Sequence, residues 1–293
     1  MQRPSPLGRL GSLPAPLLLA PASLWYIAFF LVPLGFVFVF SFLTSADFGG
    51  IEFKFSLDNY PQLLRSAVYL KVFANTLVMA FSGTALCLLI GFPLAYFLAT
   101  RAARFKNLLL VLLIVPFWTS FLTRTYAWLI LLSNNGPVSH LLQQANLLHG
   151  DLNFLYSYKA VLMGVVYNYL PLMVFPLYVS LERLDKRLLE AAKDLGAGRL
   201  GAFRRITIPL TMPGILTGCL LVFIPLMGEY VVPSILGGGK FFMIGNLIGD
   251  EFVSAHDWAF GSALGMAVIV VLLALIVLYF RVSRRASTPE MGL

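Results

Sequence analysis

Six long apolar runs, separated by short polar segments, are the feature that most limits what this chain of 293 residues can fold into. A helix of about 20 apolar residues spans the hydrocarbon core of a bilayer, and every run reaches that length. Charged residues make up 12% of the chain, whereas about a quarter of a soluble domain is charged. The pattern predicts an all-α, polytopic membrane protein with six transmembrane helices at about 22–43, 72–98, 108–132, 160–180, 215–236 and 258–279.

One membrane domain, about 22–282, would carry all six runs between an irregular N-terminal tail of 1–21 and a polar C-terminal tail of 283–293. The first run is longer than the apolar core of a secretory signal and remains bulky and aromatic to its end, so we predict a retained helix. Short helices are also expected in two of the connecting segments, near 138–148 and within 240–257.

Lysine and arginine are distributed unevenly between the polar segments. Fifteen of the 21 lie in the two ends of the chain, the 101–106 turn and the 182–209 loop. Because positive charge collects on the cytoplasmic side of membrane proteins, both termini and the 182–209 loop are predicted to be cytoplasmic. This orientation accounts for the net charge of +8 without nucleic-acid binding.

Acidic residues concentrate in the segments predicted to be external. They would attract a cationic substrate, or they reflect only the exclusion of lysine and arginine from that side. These residues are Asp47, Glu52, Asp58, Asp151, Asp250, Glu251 and Asp257.

The 182–209 loop contains a polar, basic stretch, EAAKDLGAGRLGAFRRITIP, at Glu190–Pro209. Gly196 and Gly198 favour a helix end or a bend in it, and a basic second segment follows. The stretch therefore predicts a short helix, a glycine corner and a second helix that together form a docking surface. The alternative is a solvated loop whose charges only set the topology. Apolar residues at helical spacing would share one face of the first helix: Leu188, Ala192 and Leu195.

This stretch resembles the EAA loop of the membrane permease subunits of binding-protein-dependent ABC importers. The pattern of that loop is E-A-A, three residues, G, nine residues, I, one residue, an aliphatic residue and P, and every fixed position matches within Glu190–Pro209. The resemblance implies that the loop docks into a separate subunit that hydrolyses ATP. The residues to which it gives this coupling role are Glu190, Ala191, Ala192, Asp194, Leu195, Gly196 and Arg199.

Motifs for catalysis are missing from the sequence. A phosphate-binding loop needs GxxxxGK[ST], but the triple glycine before Lys240 lacks the first glycine, and Phe241 replaces the hydroxyl residue. The three histidines are far apart, and the two cysteines lie inside apolar runs. We therefore predict a transport subunit without catalytic residues, metal or cofactor. The contrasting hypothesis is an integral membrane enzyme. Such an enzyme would need charged residues within the spans, and only Glu229 and Arg124 are candidates.

Glu229 and Arg124 lie inside apolar runs, where a charge costs a few kcal/mol and usually lines a cavity or has a partner. One interpretation is that Glu229 contacts a cation in transit, assisted by aromatic faces. The other is that Glu229 pairs with Arg124, or that each side chain reaches the membrane interface. The aromatic residues that would line the same pathway, or form an interfacial belt instead, are Trp118, Tyr126, Tyr167, Tyr169 and Tyr230.

Three more segments extend the resemblance: VPFWTSFLTRTYAW at Val115–Trp128, YNYLPLMVFPLYVSLERLD at Tyr167–Asp185 and MGEYVVPSILGG at Met227–Gly238. They resemble the spermidine/putrescine permease subfamily, and within it the B- or H-type subunit, over about 22–282. The resemblance implies the type I ABC importer permease (MetI-like) fold and a bacterial inner-membrane location. The implied partners are a second permease, an ATP-binding cassette ATPase dimer and an extracytoplasmic solute-binding protein. A polyamine is the expected cargo, with ferric iron, thiamine or an aminophosphonate as alternatives.

The charge distribution generates a prediction about orientation. In a chain whose native Cys87 and Cys219 are replaced by alanine, Asp151→Cys should react with a membrane-impermeant maleimide in intact cells. Lys193→Cys should react only after the inner membrane is permeabilised, because positively charged loops stay cytoplasmic. Labelling of position 193 in intact cells would contradict the predicted topology.

Overall fold

The computed structural model describes residues 15–46, 49–101, 105–147, 150 and 152–287. In chain order, the described α-helices are α1 (Ala15–Tyr26), α2 (Val32–Phe40), α3 (Asn59–Arg65), α4 (Ala67–Thr100), α5 (Lys106–Ile114), α6 (Phe121–Leu131), α7 (Pro137–Gln144), α8 (Tyr158–Glu182), α9 (Lys186–Asp194), α10 (Arg199–Ala202), α11 (Ile208–Met227), α12 (Val231–Leu236), α13 (Ile244–Val253) and α14 (Trp258–Ser287). Two short strands, β1 (Leu43–Ser45) and β2 (Ile51–Phe55), lie between α2 and α3.

The chain forms two compact units. The first unit comprises Met1–Arg65 and Asp250–Leu293, and the second unit comprises Ser66–Gly249. The boundary cuts α13, which begins in the second unit and ends in the first.

In the first unit, a π-helical turn at Ile27–Leu31 joins α1 and α2 into one apolar helix. None of the described side chains in Leu19–Phe40 is buried within the chain, so lipid or another subunit must cover them. The helix starts at Ala15, which corrects the prediction of an irregular tail up to residue 21. Likewise α14 continues through Ser287, beyond the predicted end of the last span.

The two strands form an antiparallel hairpin that the sequence analysis did not predict. Asn59 at the start of α3 fixes the base of the hairpin. The Asn59 side-chain amide donates to the carbonyl oxygens of Ser41 and Leu43 at 3.1 and 3.0 Å. At the other end, the Gly50 N–H donates to the His256 carbonyl at 2.8 Å. These bonds attach the hairpin to α3 and to the residues before α14, and α14 itself packs against α2, β1 and α3.

The core of the second unit is formed by α4, α8 and α11, which pack against one another. Small residues let membrane helices approach closely, and glycines stand at these contacts. A Cβ at Gly218 of α11 would lie 2.8 Å from the Met173 sulfur of α8, and one at Gly91 of α4 would lie 3.1 Å from Met173 Cγ. Met173 is fully buried, so one side chain fills the space that two glycines leave.

The third predicted span is sharply bent in the structure. Lys106–Trp118 and Phe121–Leu131 meet at an angle of 93°, and Thr119 and Ser120 between them are extended. Pro116 lies in the 3₁₀ turn just before the bend, and proline removes a helical hydrogen bond. The apolar run alone indicated one span and gave no sign of this angle.

The fifth predicted span is also interrupted. It begins earlier than predicted, since Arg199–Met227 forms one apolar helical stretch of 29 residues. The helix then ends at Gly228, and α12 begins at Val231. Glu229 therefore lies between two helices, not within one as the sequence analysis expected.

The predicted all-α membrane fold is confirmed. Among the described residues, five helices are long and apolar enough to cross a membrane, and the bent pair makes a sixth if it counts as one span. The two predicted short helices between spans are present as α7 and α13.

The close approach of α8 and α11 predicts intolerance of a side chain at Gly214. A Cβ there would lie 2.3 Å from Ser180 Oγ and 2.6 Å from the Pro176 carbonyl oxygen. Gly214→Ala should lower the stability of the purified chain by about 1–3 kcal/mol through overpacking, measured as a lower thermal unfolding midpoint in detergent. Gly265→Ala in α14, where a Cβ meets nothing within 4 Å, is the matched control. Equal midpoints for the two variants would contradict this packing.

Candidate functional site

Glu229 connects the end of α11 with the start of α12. Its Oε1 accepts hydrogen bonds from the Val231 and Val232 N–H groups at 2.9 and 3.1 Å. The first N–H groups of a helix have no partner within the helix, and they carry its positive end. Only 5% of Glu229 is exposed, so the carboxylate is buried against the helix start that it stabilises.

The second carboxylate oxygen also has a partner. The Tyr169 hydroxyl of α8 donates to Glu229 Oε2, and the Tyr169 ring meets the Phe121 ring edge to face, with centroids 6.3 Å apart. The carboxylate thus connects α12 to α8, and Tyr169 extends the contact to α6. Both oxygens of Glu229 are occupied in this conformation.

Asn246 of α13 supports the same region, and sequence analysis did not identify it. Its amide donates to the Tyr230 carbonyl at 2.9 Å and to the Ser234 hydroxyl at 2.7 Å. A Cβ at the preceding Gly245 would lie 2.8 Å from the carbonyl oxygens of both Gly228 and Glu229. This close approach of α13 fixes the backbone around Glu229. Single asparagines and glycines between apolar runs carry no distinctive spacing, so the sequence offered no signal for them.

Arg124 does not pair with Glu229 in this structure. Within the described part of the chain, the one ion pair joins Lys106 and Glu182. The Arg124 guanidinium lies over the rings of Phe117 and Phe121, at 5.1 and 5.8 Å from their centroids. Its Nε is buried without a hydrogen-bond partner among the described residues. The pairing alternative therefore does not describe this conformation.

The predicted aromatic residues separate into two groups. Trp118, Tyr126 and Tyr230 are 82%, 52% and 57% exposed, so their ring faces are available. Tyr167 instead packs edge to face against Trp128, at 5.4 Å between centroids. Tyr169 thus contacts Glu229 directly, and the Phe121 ring lies against both Tyr169 and Arg124.

The predicted coupling loop has the geometry expected from its glycine corner. Gly196 ends α9 with φ +80°, a conformation that favours glycine. The Ala197 N–H donates to the Ala192 carbonyl at 2.9 Å, which is the long hydrogen bond of a Schellman helix end. The helix, corner and second helix that the sequence predicted are all present.

The apolar face of this loop is mostly uncovered. Ala192 is buried, whereas Leu195 is 89% exposed and Leu188 is 46% exposed. Leu200 of α10 is 64% exposed as well. Four residues that the sequence predicts to have a coupling role are exposed beside them: Glu190, Ala191, Asp194 and Arg199. A solvent-exposed loop with several uncovered leucines is a candidate surface for another protein.

Some of the predicted external acids have local partners. Asp257 Oδ1 accepts the Phe260 N–H at the start of α14, at 2.9 Å, and the Ser45 hydroxyl. Partial burial, with Asp257 and Asp250 nearby, raises the pKa of Glu251 above its usual range. Asp47 and Asp151 lie outside the described residues. No group of three histidine, cysteine or acidic side chains that could hold a metal occurs in the described part of the chain.

Comparison with known proteins identifies the class of molecule to which these features belong. Residues 88–288 match the family model described as binding-protein-dependent transport system inner membrane component. The spermidine/putrescine transport system permease protein PotB of Escherichia coli K12 is 44% identical over 260 residues, which cover 89% of this chain and 94% of that protein. PotB of Haemophilus influenzae is 40% identical over 89% of this chain and 91% of its own length.

Solved structures share the fold at low sequence identity. A bacterial ABC transporter involved in the import of the acidic polysaccharide alginate contains a chain with a TM-score of 0.71 at 18% identity, covering 92% of this chain and 95% of that one. A chain of the MetNI methionine ABC transporter in an inward-facing conformation gives 0.56 at 15% identity, over 76% of this chain and all of that one. With its membrane-spanning helices and its family match over 88–288, the chain belongs to the inner membrane components of binding-protein-dependent transport systems and is a transport subunit of the ABC importer class.

Proposed function

We propose that this chain is a permease subunit of a polyamine importer and forms half of its translocation pathway. The observation that carries the proposal is the 44% identity to PotB of E. coli across 89% of the chain. The geometry agrees with a cargo of this kind. A spermidine or putrescine molecule carries ammonium groups separated by methylenes, so one carboxylate at Glu229 and exposed rings at Trp118 and Tyr230 suit it.

The proposed complex contains a second permease, an ATP-binding cassette ATPase dimer and an extracytoplasmic solute-binding protein. The uncovered leucines of the coupling loop support docking of the ATPase at Leu188, Leu195 and Leu200. The concentration of lysine and arginine supports a cytoplasmic position for both termini and this loop. ATP-driven closure of the ATPase would move the docked loop and switch the pathway between the two sides of the membrane.

Glu229 would contact the cargo by exchanging one of its two partners. Oε1 caps α12 through two N–H groups, so we infer that it keeps them during transport. Among the described residues, Oε2 accepts a hydrogen bond from the Tyr169 hydroxyl alone. An ammonium group would add the attraction between two opposite charges to its hydrogen bond, and this attraction is stronger inside a protein than in water. The cargo would therefore replace Tyr169 at Oε2 while α12 remains capped.

The charge of Glu229 is tested with Glu229→Gln. The glutamine oxygen can still accept the two α12 N–H groups, so helix capping and membrane insertion should persist. Uptake of radiolabelled spermidine by cells should fall about tenfold or more, because a hydrogen bond to a charged group contributes roughly 1.5–3 kcal/mol. If Glu229 served only as a cap, uptake would remain within about twofold of wild type at equal protein level.

Tyr169→Phe and Tyr167→Phe form a matched pair on α8. Removing the Tyr169 hydroxyl frees Oε2, so spermidine uptake should persist with an equal or lower KM. Tyr167→Phe, which loses no bond to Glu229, should resemble wild type. A loss of uptake for Tyr169→Phe as large as that for Glu229→Gln would refute partner exchange.

Because Arg124 and Glu229 are not paired, adding Arg124→Gln to Glu229→Gln should not restore uptake.

The coupling role predicts a difference between two glycines of the loop. Gly196 has φ +80° and Gly201 does not have a positive φ, and a Cβ meets nothing within 4 Å at either position. Gly196→Asp should leave the protein in the membrane but disrupt the helix end, since a side chain strains this conformation by about 1–2 kcal/mol. Uptake and co-purification of the ATPase should fall. Gly201→Asp adds the same charge and should affect both less. Normal assembly and uptake in Gly196→Asp would exclude the loop as the coupling element.

A further inference from the structure

A cavity of about 280 Å³ lies where the coupling loop meets the end of α4. Tyr96 and Arg101 line it from α4 and the residue that follows, and Leu189 lines it from α9. Arg199, Phe203 and Thr207 line it from the helical segment that leads into α11. The Phe203 ring is held edge to face by Phe92 and Tyr96, with centroids 5.6 and 6.3 Å apart. The cavity is therefore built on packed aromatic residues.

The charged side chains that line this cavity are positive. Arg101 and Arg199 are its two charged lining residues, and neither forms an ion pair within the ranges that the structure describes. The carboxyl end of α4 and the amino end of the helix that starts at Arg199 both reach the cavity, so their helix dipoles oppose each other. The two guanidinium groups thus decide the sign, and they would repel a polyamine.

We propose that this cavity binds the phosphate group of an anionic phospholipid. Guanidinium groups bind phosphate oxygens with paired, charge-assisted hydrogen bonds. The volume is at the lower limit of pockets that enclose a small molecule, so it suits a headgroup and leaves the acyl chains outside. α4 and α11 are membrane-spanning helices. Phe97 of α4 and Leu210 of α11, which are 48% and 50% exposed, place apolar surface on the same helices.

The site would connect the lipid composition of the membrane with the coupling loop. Arg199 and Leu189 belong to the loop, whereas Arg101 follows α4. A phosphate bound by both arginines would hold the loop against the end of α4. This role goes beyond the proposed transport function, because it concerns neither the cargo nor the path that the cargo takes.

The test measures lipid binding by the purified full-length chain. Short-chain phosphatidylglycerol is titrated in detergent, with thermal unfolding as the readout, and phosphatidylcholine serves as the zwitterionic control. Phosphatidylglycerol should raise the unfolding temperature of the wild type more than phosphatidylcholine does. Arg101→Gln combined with Arg199→Gln should weaken the apparent affinity by about tenfold or more, since both charge-assisted contacts with the phosphate are then lost. Arg204→Gln removes an exposed arginine of the same loop that does not line the cavity, and it should change the affinity less than twofold.

Two further measurements complete the binding test. Leu189→Trp narrows the cavity without changing its charge and should also weaken binding, which covers the case in which the arginine variants fail to fold. Inorganic phosphate at millimolar concentration distinguishes a free anion from a lipid. Protection by inorganic phosphate equal to that by phosphatidylglycerol would overturn the lipid assignment. Equal affinity in the wild type and the double variant, or an equal loss in Arg204→Gln, would overturn the site itself.

Discussion

Backbone polar groups inside a bilayer must find partners within the protein, because hydrocarbon offers none. At the interruption between α11 and α12, two side chains help to meet this requirement, since Asn246 donates to the Tyr230 carbonyl and Glu229 serves the helix start. Glu229 accepts the first two N–H groups of α12. The placement of α12 in turn fixes its neighbours, since Gly164 of α8 leaves room for Leu236 and Val232 of α12. The same carboxylate therefore sets the packing of α8 against α12 and stands in the candidate pathway.

The apolar runs and the coupling loop could be predicted from the sequence because each rests on local rules. Run length determines whether a helix can span the membrane, and a glycine with positive φ ends a helix in a recognisable pattern. Gly196 and Ala197 follow that pattern in the structure.

The rest depends on contacts between residues far apart in the chain. Nothing near Glu229 indicates that Tyr169, 60 positions away, donates to it. Arg124 and Glu229 have opposite charges and lie in apolar runs, yet Arg124 is placed over two phenylalanine rings. The 93° bend before α6 redirects its side chains, and a hydropathy pattern carries no information about that angle. Asn246 supports the Glu229 region from α13, a short helix whose docking position the sequence does not specify.

The long helical stretch Arg199–Met227 has its two ends at the two sites described above. It starts in the coupling loop, and Glu229 follows two residues after its other end. At a rise of 1.5 Å per residue, its length is about 43 Å. A rigid arm of that length converts a tilt of roughly 10° at the loop into a displacement of about 7 Å at Glu229. A small rotation imposed on the loop would therefore produce a movement larger than an ammonium group at the carboxylate, without any change in the helix itself.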